Sequence, residues 1–253
     1  MNIGFTSTTF RNIKDIEKIV KIAEKAGTDC IEWGGDIHIK TPSDAKRAAA
    51  LCGDCGIEIS SLGSYYKIGS GDTEKLKKTL ELAALLSAKD VRVWLGDKDS
   101  QKTSKEDYDR LVTDGKLVCE EAAKLGLNIC PECHDGTFNN DTDAFLKIYK
   151  DINAENFGTY FQSRYKKERY DLDRIERTLP YIKSVHISFS EQTREQLFRR
   201  DTQYIARLTE KLLSCGFSGN LLLEYTYLFS YAGIPHFMIN DIQKLRKMTG
   251  EIK

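Results

Sequence analysis

The chain has 253 residues, of which 40% are hydrophobic and 30% are charged, enough for one large single-core domain or two small ones. Its 18 glycines and 4 prolines are too few for a low-complexity or collagen-like chain. Lysine plus arginine and aspartate plus glutamate each number 38, so no excess of positive charge favours a nucleic-acid partner. Composition therefore excludes a disordered or fibrous chain and favours a globular protein that binds a small molecule.

The cysteines and the first residues indicate where the protein is located. Seven cysteines, an odd number in a chain too long to need disulfides, are typical of reduced thiols. The chain begins Met1-Asn2-Ile3-Gly4-Phe5, without the basic and apolar regions of a secretory leader, and no later stretch approaches the roughly 18 apolar residues of a membrane span. We therefore expect a cytoplasmic protein with no membrane partner.

Helical and apolar β-prone segments alternate along the chain. Several helical patterns end in a glycine that a β-prone run follows within a few residues, and glycine accepts the left-handed conformation of a helix end at little cost. Eight short, largely apolar runs are predicted as strands: Ile3–Thr6, Cys30–Trp33, Ile57–Leu62, Val91–Leu95, Leu127–Glu132, Phe157–Gln162, Ile182–Ile187 and Leu221–Tyr225.

Eight strands in 253 residues give about 32 residues per strand-helix unit, which matches a (β/α)₈ TIM barrel. The rival doubly wound sheet is expected to carry a glycine-rich phosphate loop after an early strand, and neither G-x-G-x-x-G nor G-x-x-x-x-G-K-[ST] occurs there. No linker or shift in composition divides the chain. We therefore predict an α/β protein with one TIM-barrel domain spanning residues 1–253.

Polar residues end four consecutive predicted strands, the fifth to the eighth. These residues are Glu132, Gln162, His186 and Glu224. Active sites of TIM barrels lie at the carboxyl ends of the strands, and neighbouring strands are only about 4.8 Å apart, so the four side chains are expected to converge. Two carboxylates, an imidazole and an amide oxygen suit Mn²⁺ or Mg²⁺ best, with Zn²⁺ and Co²⁺ as alternatives. We predict one divalent ion per chain, although a buried Glu also pairs with Arg or Lys, and a lone His is also found as a hydrogen-bonded core residue.

Several motifs, taken in order, resemble the sugar phosphate isomerase/epimerase family of xylose isomerase-like TIM barrels over nearly the whole chain. The segments that carry the resemblance are Ala26-Gly27, Ile31-Glu32-Trp33, Gly34-Gly35-Asp36-Ile37-His38, Gly63-Ser64-Tyr65-Tyr66, Val91-Arg92-Val93-Trp94-Leu95-Gly96, Glu132-Cys133-His134-Asp135-Gly136-Thr137, Val185-His186 and Leu223-Glu224-Tyr225. Their order and spacing are more specific for the fold and site than for the substrate.

The resemblance implies roles for three of the strand-end residues. Glu132, His186 and Glu224 match metal ligands of the family, and the two glutamates match the acid/base pair of its epimerases. The fourth ligand in most of the family is an aspartate. Here Tyr160-Phe161-Gln162 resembles a subgroup with an aromatic-Gln pair at that place, which keeps an oxygen ligand but removes a negative charge. Metal affinity and reaction type are therefore left open.

The same site suits proton transfer next to a carbonyl group. A cation that binds a hydroxyl and the adjacent carbonyl stabilises an ene-diolate, so a carboxylate can remove the carbon-bound proton. Return of the proton to the same carbon from the opposite face epimerises the sugar, and return to the neighbouring carbon isomerises it. We therefore expect a metal-dependent isomerase or epimerase acting on a sugar or sugar phosphate.

Three other functions remain open at this point. The departure at Gln162 allows a carbohydrate-processing lyase or a sugar-binding barrel without catalysis. Apurinic endonucleases of the endonuclease IV type share the barrel, but they need a histidine-rich cluster of three metal ions, and this chain has only 4 histidines and no basic excess. The sequence also allows a homo-oligomer.

Six further residues are candidates for substrate binding at the mouth of the barrel: His134, Arg164, Arg92, Trp33, Trp94 and Tyr66. The arginines are suited to a carboxylate, phosphate or hydroxyl group, and the aromatic residues to the face of a sugar ring. All of them except Arg164 also have a structural alternative. For His134 this is a hydrogen bond within the following Asp135 turn, for Arg92 a buried ion pair with Glu32, and for the aromatic residues core packing.

Overall fold

The computed structural model describes residues 1–163, 168–188, 194–225 and 234–250, and it contains eight parallel strands. The strands are β1 Asn2–Thr6, β2 Cys30–Gly34, β3 Glu58–Ile68, β4 Asp90–Leu95, β5 Asn128–Pro131, β6 Thr159–Gln162, β7 Ile182–Ser188 and β8 Asn220–Glu224. Their order in the sheet is β5-β4-β3-β2-β1-β8-β7-β6. Two isolated bridges, Ile129 with Phe157 and Glu132 with Tyr160, join β5 to β6 and close the sheet. The predicted (β/α)₈ barrel is confirmed.

A helix follows each strand. The helices are α1 Ile16–Ala26, α2 Pro42–Asp54, α3 Thr73–Leu85, α4 Lys105–Ala123, α5 Thr142–Ile152, α6 Glu168–Thr178, α7 Arg194–Ser214 and α8 Ile234–Met248. The first helix shows how local sequence sets these bounds: the Asp15 carboxylate caps its start by accepting from the Glu17 N–H, and Gly27 ends it at a φ of 66°. In the described part of the chain, no helix is long and apolar enough to cross a membrane. All seven cysteines are free thiols, as predicted.

The third strand is longer than predicted. We expected it to end at Leu62, but β3 continues to Ile68. Its pairing with β4 shifts register between Gly63 and Lys67, and the Ser64 hydroxyl donates to the Arg92 carbonyl oxygen over 2.8 Å at this shift. A hydrogen bond from a side chain thus supports the strand where its backbone pairing is interrupted.

Side chains inside the barrel form layers, because alternate residues of a strand point to the same face. One buried cluster contains Cys30, Cys130, Tyr160 and Leu222, from four different strands. Two residues after these four in the chain come Glu32, Glu132, Gln162 and Glu224, of which Glu132 directly follows β5. The apolar cluster is therefore the floor beneath a layer of polar groups, and this polar layer lies at the carboxyl ends of the strands.

Candidate metal centre

Three strands bring Glu132, His186 and Glu224 together. One ligand atom from each residue lies within 4.8 Å of the other two. His186 Nδ1 is 3.3 Å from Glu132 Oε1 and 3.8 Å from Glu224 Oε2. His186 is completely buried, and its ring meets the floor through an edge contact with Tyr160, with ring centroids 5.4 Å apart. Two carboxylates and one imidazole nitrogen directed at a common point form a donor set that fits a divalent cation.

Gln162 lies beside this cluster. It pairs in register with His186 on the neighbouring strand, and its amide nitrogen is 3.4 Å from Glu224 Oε2. The structure thus brings all four residues predicted from the strand ends to one layer. A half-turn of the amide would exchange its nitrogen for its oxygen, so Gln162 is placed to act as a neutral oxygen ligand.

Arg92 is buried in ion pairs with two glutamates. Its Nε is 3.1 Å from Glu32 Oε1, and its Nη1 donates to Glu132 Oε2. The buried ion pair that the sequence left open for Arg92 is therefore present, and it includes Glu132 as well as Glu32. Because both carboxylates bind this guanidinium, Arg92 holds Glu32 and Glu132 in place within the polar layer.

The charges in this layer determine its protonation. Burial favours the neutral form of Glu32 and Glu132, but Arg92 and His186 outweigh it and lower the pKa of each carboxyl to about 2. Burial opposes protonation of His186, but Glu32, Glu132 and Glu224 raise the pKa of its imidazole to about 10. Glu224 differs, since burial raises its pKa more than His186 and Arg92 lower it. The two candidate acid/base residues thus have unequal basicity.

Two of the predicted substrate-binding residues lie at the mouth of the barrel. Trp94 is two residues beyond Arg92, and His134 is two beyond Glu132, so both are one layer above the polar groups. The two rings meet edge to face with centroids 4.8 Å apart, and Tyr65 stacks on Trp94 with centroids 6.2 Å apart. His134 Nδ1 is also 2.5 Å from the Asp135 carbonyl oxygen, the turn contact that the sequence left open. These aromatic groups form a wall above Glu132.

Trp33 and Tyr66 lie elsewhere. Both belong to the main hydrophobic core and are at most 1% exposed. Trp33 adjoins Glu32 in β2, so strand alternation points it outward to the helices, and the Tyr66 hydroxyl donates to Asp114 of α4 over 3.4 Å. Core packing, the alternative that the sequence left open, is what the structure shows for both. Arg164 lies outside the described residues.

The other histidines lie apart from the acidic cluster. His38 bonds to the Ser7 hydroxyl and the Ile13 carbonyl oxygen, and His236 bonds to Asn240. Within the described ranges, one group of three potential metal ligands is found, and it contains a single histidine. The histidine-rich cluster that an endonuclease IV-type activity requires is not formed by these residues.

Sequence reasoning missed how far Glu32 takes part in the site. It was considered only as a partner of Arg92, but its Oε2 is also 3.2 Å from His186 Nε2. The signal was available: Glu32 is the one charged residue in the buried β2 segment Cys30-Ile31-Glu32-Trp33-Gly34. A charge in the middle of an apolar strand needs a partner inside the barrel. Tyr65, which stacks on Trp94, was also not among the predicted substrate-binding residues.

Comparison with known proteins agrees with this architecture. The profile of the xylose isomerase-like TIM barrel family matches residues 20–228, and the chain belongs to this family. A curated relative, 3-dehydroshikimate dehydratase of Bacillus anthracis, is 22% identical over 198 residues, which are 74% of this chain and 71% of that protein.

Solved structures with the same fold include a dehydratase and an epimerase. The crystal structure of a probable 3-DHS dehydratase from Bacillus anthracis has a TM-score of 0.80 and 17% identity, covering 97% of this chain and 98% of that chain. D-allulose 3-epimerase from Methylomonas sp., in complex with D-allulose, has a TM-score of 0.75 and 16% identity, covering 100% and 97%. At these identities the likeness shows the fold.

Proposed function

We propose that this chain is a divalent-metal-dependent enzyme that isomerises or epimerises a sugar or sugar phosphate. The observation that carries the proposal is the convergence of Glu132, His186 and Glu224, from three strands, at the mouth of the barrel. A fold shared with D-allulose 3-epimerase supports it. The proposed substrate has a hydroxyl next to a carbonyl group, because this pair of oxygens can chelate one cation.

The donor set fits a hard cation. Glu132, His186 and Glu224 would hold it, with Gln162 as a neutral fourth ligand, and Mn²⁺ or Mg²⁺ suits these groups best. When bound, the cation would stabilise negative charge on the substrate oxygens and so acidify the adjacent carbon-bound proton. The ligands themselves carry two negative charges, which a divalent cation neutralises.

Glu224 is the residue that we assign to the first proton transfer. Glu132 has one oxygen bound to Arg92 and the other near His186, so its charge is held by two cationic partners. Glu224 contacts His186 and Gln162, and burial raises its pKa above that of an ordinary glutamate, which makes it the stronger base of the two. In an epimerisation, Glu132 would take up a second proton and deliver it to the opposite face of the same carbon, while the first proton stays on Glu224.

A dehydratase is the second candidate. The curated relative is a 3-dehydroshikimate dehydratase. The contact with Arg92 makes Glu132 a weak base, and this favours a reaction that needs only one strong base, Glu224. Elimination of water begins with the same removal of a proton next to a carbonyl group. It differs in that a hydroxyl group then leaves, so the product loses the mass of one water.

One assay separates these candidates. The purified protein is supplied with Mn²⁺ in D₂O and incubated with free ketoses, phosphorylated ketoses and 3-dehydroshikimate, and products are followed by NMR and mass spectrometry. We expect metal-dependent incorporation of deuterium at the carbon next to the carbonyl of a sugar. Loss of water instead would establish the dehydratase. Sugar binding without exchange or mass loss would contradict both and favour a non-catalytic sugar-binding barrel.

A further inference from the structure

Both ring nitrogens of His186 face carboxylates. Nδ1 is 3.3 Å from Glu132 Oε1, inside the cluster of potential ligands, and Nε2 is 3.2 Å from Glu32 Oε2 on the opposite side of the ring. Glu32 and His186 are both completely buried. Because Glu32 contacts the nitrogen that points away from the cluster, it can act on a bound cation only through the imidazole.

Glu32 is itself held from two further directions. The Ser61 hydroxyl donates to Oε2 over 3.0 Å, and Arg92 Nε donates to Oε1 over 3.1 Å. The neighbouring Gly63 leaves room for this arrangement, since a Cβ atom there would lie 2.9 Å from Arg92 Nη2 and 3.0 Å from Glu32 Oε1. Both oxygens of the carboxylate are therefore occupied as hydrogen-bond acceptors, and its orientation is fixed.

We propose that Glu32 is a positioning residue of the metal centre: it accepts the Nε2–H of His186 and thereby presents the unprotonated Nδ1 to the cation. The inference rests on the metal site of the proposed function and names the group that orients its only imidazole. A neutral imidazole carries hydrogen on one nitrogen, and the acceptor beside that nitrogen decides which one. Glu132 Oε1 is a second acceptor, beside Nδ1, but in the metal-bound protein that oxygen would be a metal ligand, so Glu32 would hold the hydrogen on Nε2 and Nδ1 would keep its lone pair.

A Glu32→Gln variant tests the proposal because an amide has one acceptor and one donor end. If its oxygen faces Arg92, its NH₂ group faces His186 Nε2 and favours hydrogen on Nδ1, which blocks the ligand atom. If its oxygen faces His186 instead, its NH₂ group meets the Arg92 guanidinium, donor against donor. Each orientation of the amide therefore loses either the hydrogen bond that the Glu32 carboxylate accepts from His186 or the one that it accepts from Arg92.

The first measurement is metal affinity. Dissociation constants for Mn²⁺ are determined by chelator competition for the wild type, Glu32→Gln and Ser61→Ala. We expect Glu32→Gln to bind Mn²⁺ about 10- to 100-fold more weakly. Ser61→Ala removes one hydrogen bond to the carboxylate and should weaken binding about threefold. Asp171→Asn is the matched control, because Asp171 is a buried carboxylate that accepts from Tyr204 outside the site, and we expect no change in affinity.

The second measurement reads the hydrogen positions directly in the wild type and does not need a folded Glu32 variant. Protein labelled with ¹⁵N-histidine is studied by two-bond ¹H–¹⁵N correlation, with Zn²⁺ as a diamagnetic ion. The His186 signals are assigned from their loss in His186→Gln. We expect Nδ1 to bind the ion and Nε2 to carry hydrogen in the wild type.

The outcomes separate this inference from the proposed function. If the wild type binds metal but Glu32→Gln binds it equally well, or if Nε2 is the ligand, the positioning role is overturned and the metal site stands. If the wild type binds no divalent ion, the metal site and the positioning role both fail. A wild type that binds metal through Nδ1 but exchanges no substrate proton would overturn the proposed activity and leave the role of Glu32 intact.

Discussion

Residues of the same type have different partners in this site. Glu132 and Glu224 are equivalent in the sequence, because each ends an apolar run. In the structure, Glu132 contacts Arg92 and Glu224 contacts the Gln162 amide. Arg92 and His186 therefore lower the pKa of Glu132, whereas burial raises the pKa of Glu224. We accordingly separate a residue that mainly anchors a cation from one that mainly moves a proton.

The first residue-scale prediction concerns Glu224→Gln. The amide keeps an oxygen ligand but cannot accept a proton, so we expect the variant to retain part of its metal and to lose on the order of 10²-fold or more in turnover. Deuterium exchange gives the turnover, and elemental analysis gives the metal content. Exchange at the wild-type rate would show that another group removes the proton.

A second prediction uses Gln162. An aspartate there adds one negative charge to the ligands, so Gln162→Asp should hold metal more tightly in chelator competition. It should also turn over substrate more slowly, because more of the cation's charge is cancelled. Gln162→Ala is the control that removes the ligand without adding charge. If both variants bind metal as the wild type does, Gln162 contacts substrate rather than metal, and the site has three protein ligands.

At the scale of elements, the polar layer connects strands that are distant in sequence. Arg92 of β4 binds Glu32 of β2 and Glu132, which follows β5, so one guanidinium connects β2, β4 and the end of β5. Alternation predicted which face of each strand these residues occupy. Alternation did not predict which side chains pair, because it fixes the face on which a residue lies but not the residue from another strand that contacts it.

An Arg92→Met variant tests this connection. Removing the guanidinium leaves two buried carboxylates with His186 as their remaining cationic partner, which should lower the free energy of unfolding by roughly 3 kcal/mol or more. Mn²⁺ should restore part of the loss, because it neutralises the same charges and binds only the folded state. Urea unfolding with and without Mn²⁺ measures both effects. Equal stability of variant and wild type in metal-free buffer would mean that the ion pairs contribute little.

At the scale of the whole molecule, the repeat of strands and helices was predictable and its local exceptions were not. All eight strands were located from apolar runs and glycine signals, and the four strand-end residues meet as predicted. The prediction failed at the end of β3, where a Ser64 hydrogen bond extends the strand. Trp33 and Tyr66 face the helices because adjacent residues of a strand point to opposite sides. A cytoplasmic location and a homo-oligomer remain predictions.

Metal binding should be visible in global stability. An ion that binds only the folded barrel stabilises it by mass action, by about 2.7 kcal/mol when its free concentration is 100 times Kd. We therefore expect Mn²⁺ to raise the Tm of the wild type and EDTA to reverse the increase. Glu132→Ala should show no such increase, and a shift as large as that of the wild type would locate the ion elsewhere.

The central claim is that Glu132, His186 and Glu224 hold one divalent ion, and metal stoichiometry tests it most directly. The wild type, Glu132→Ala and His186→Ala are each saturated with Mn²⁺, desalted and measured by elemental analysis, with circular dichroism as the check on folding. We predict about one ion per chain in the wild type and almost none in the folded variants. A wild type that retains no ion, or folded variants that retain a full one, would contradict the claim.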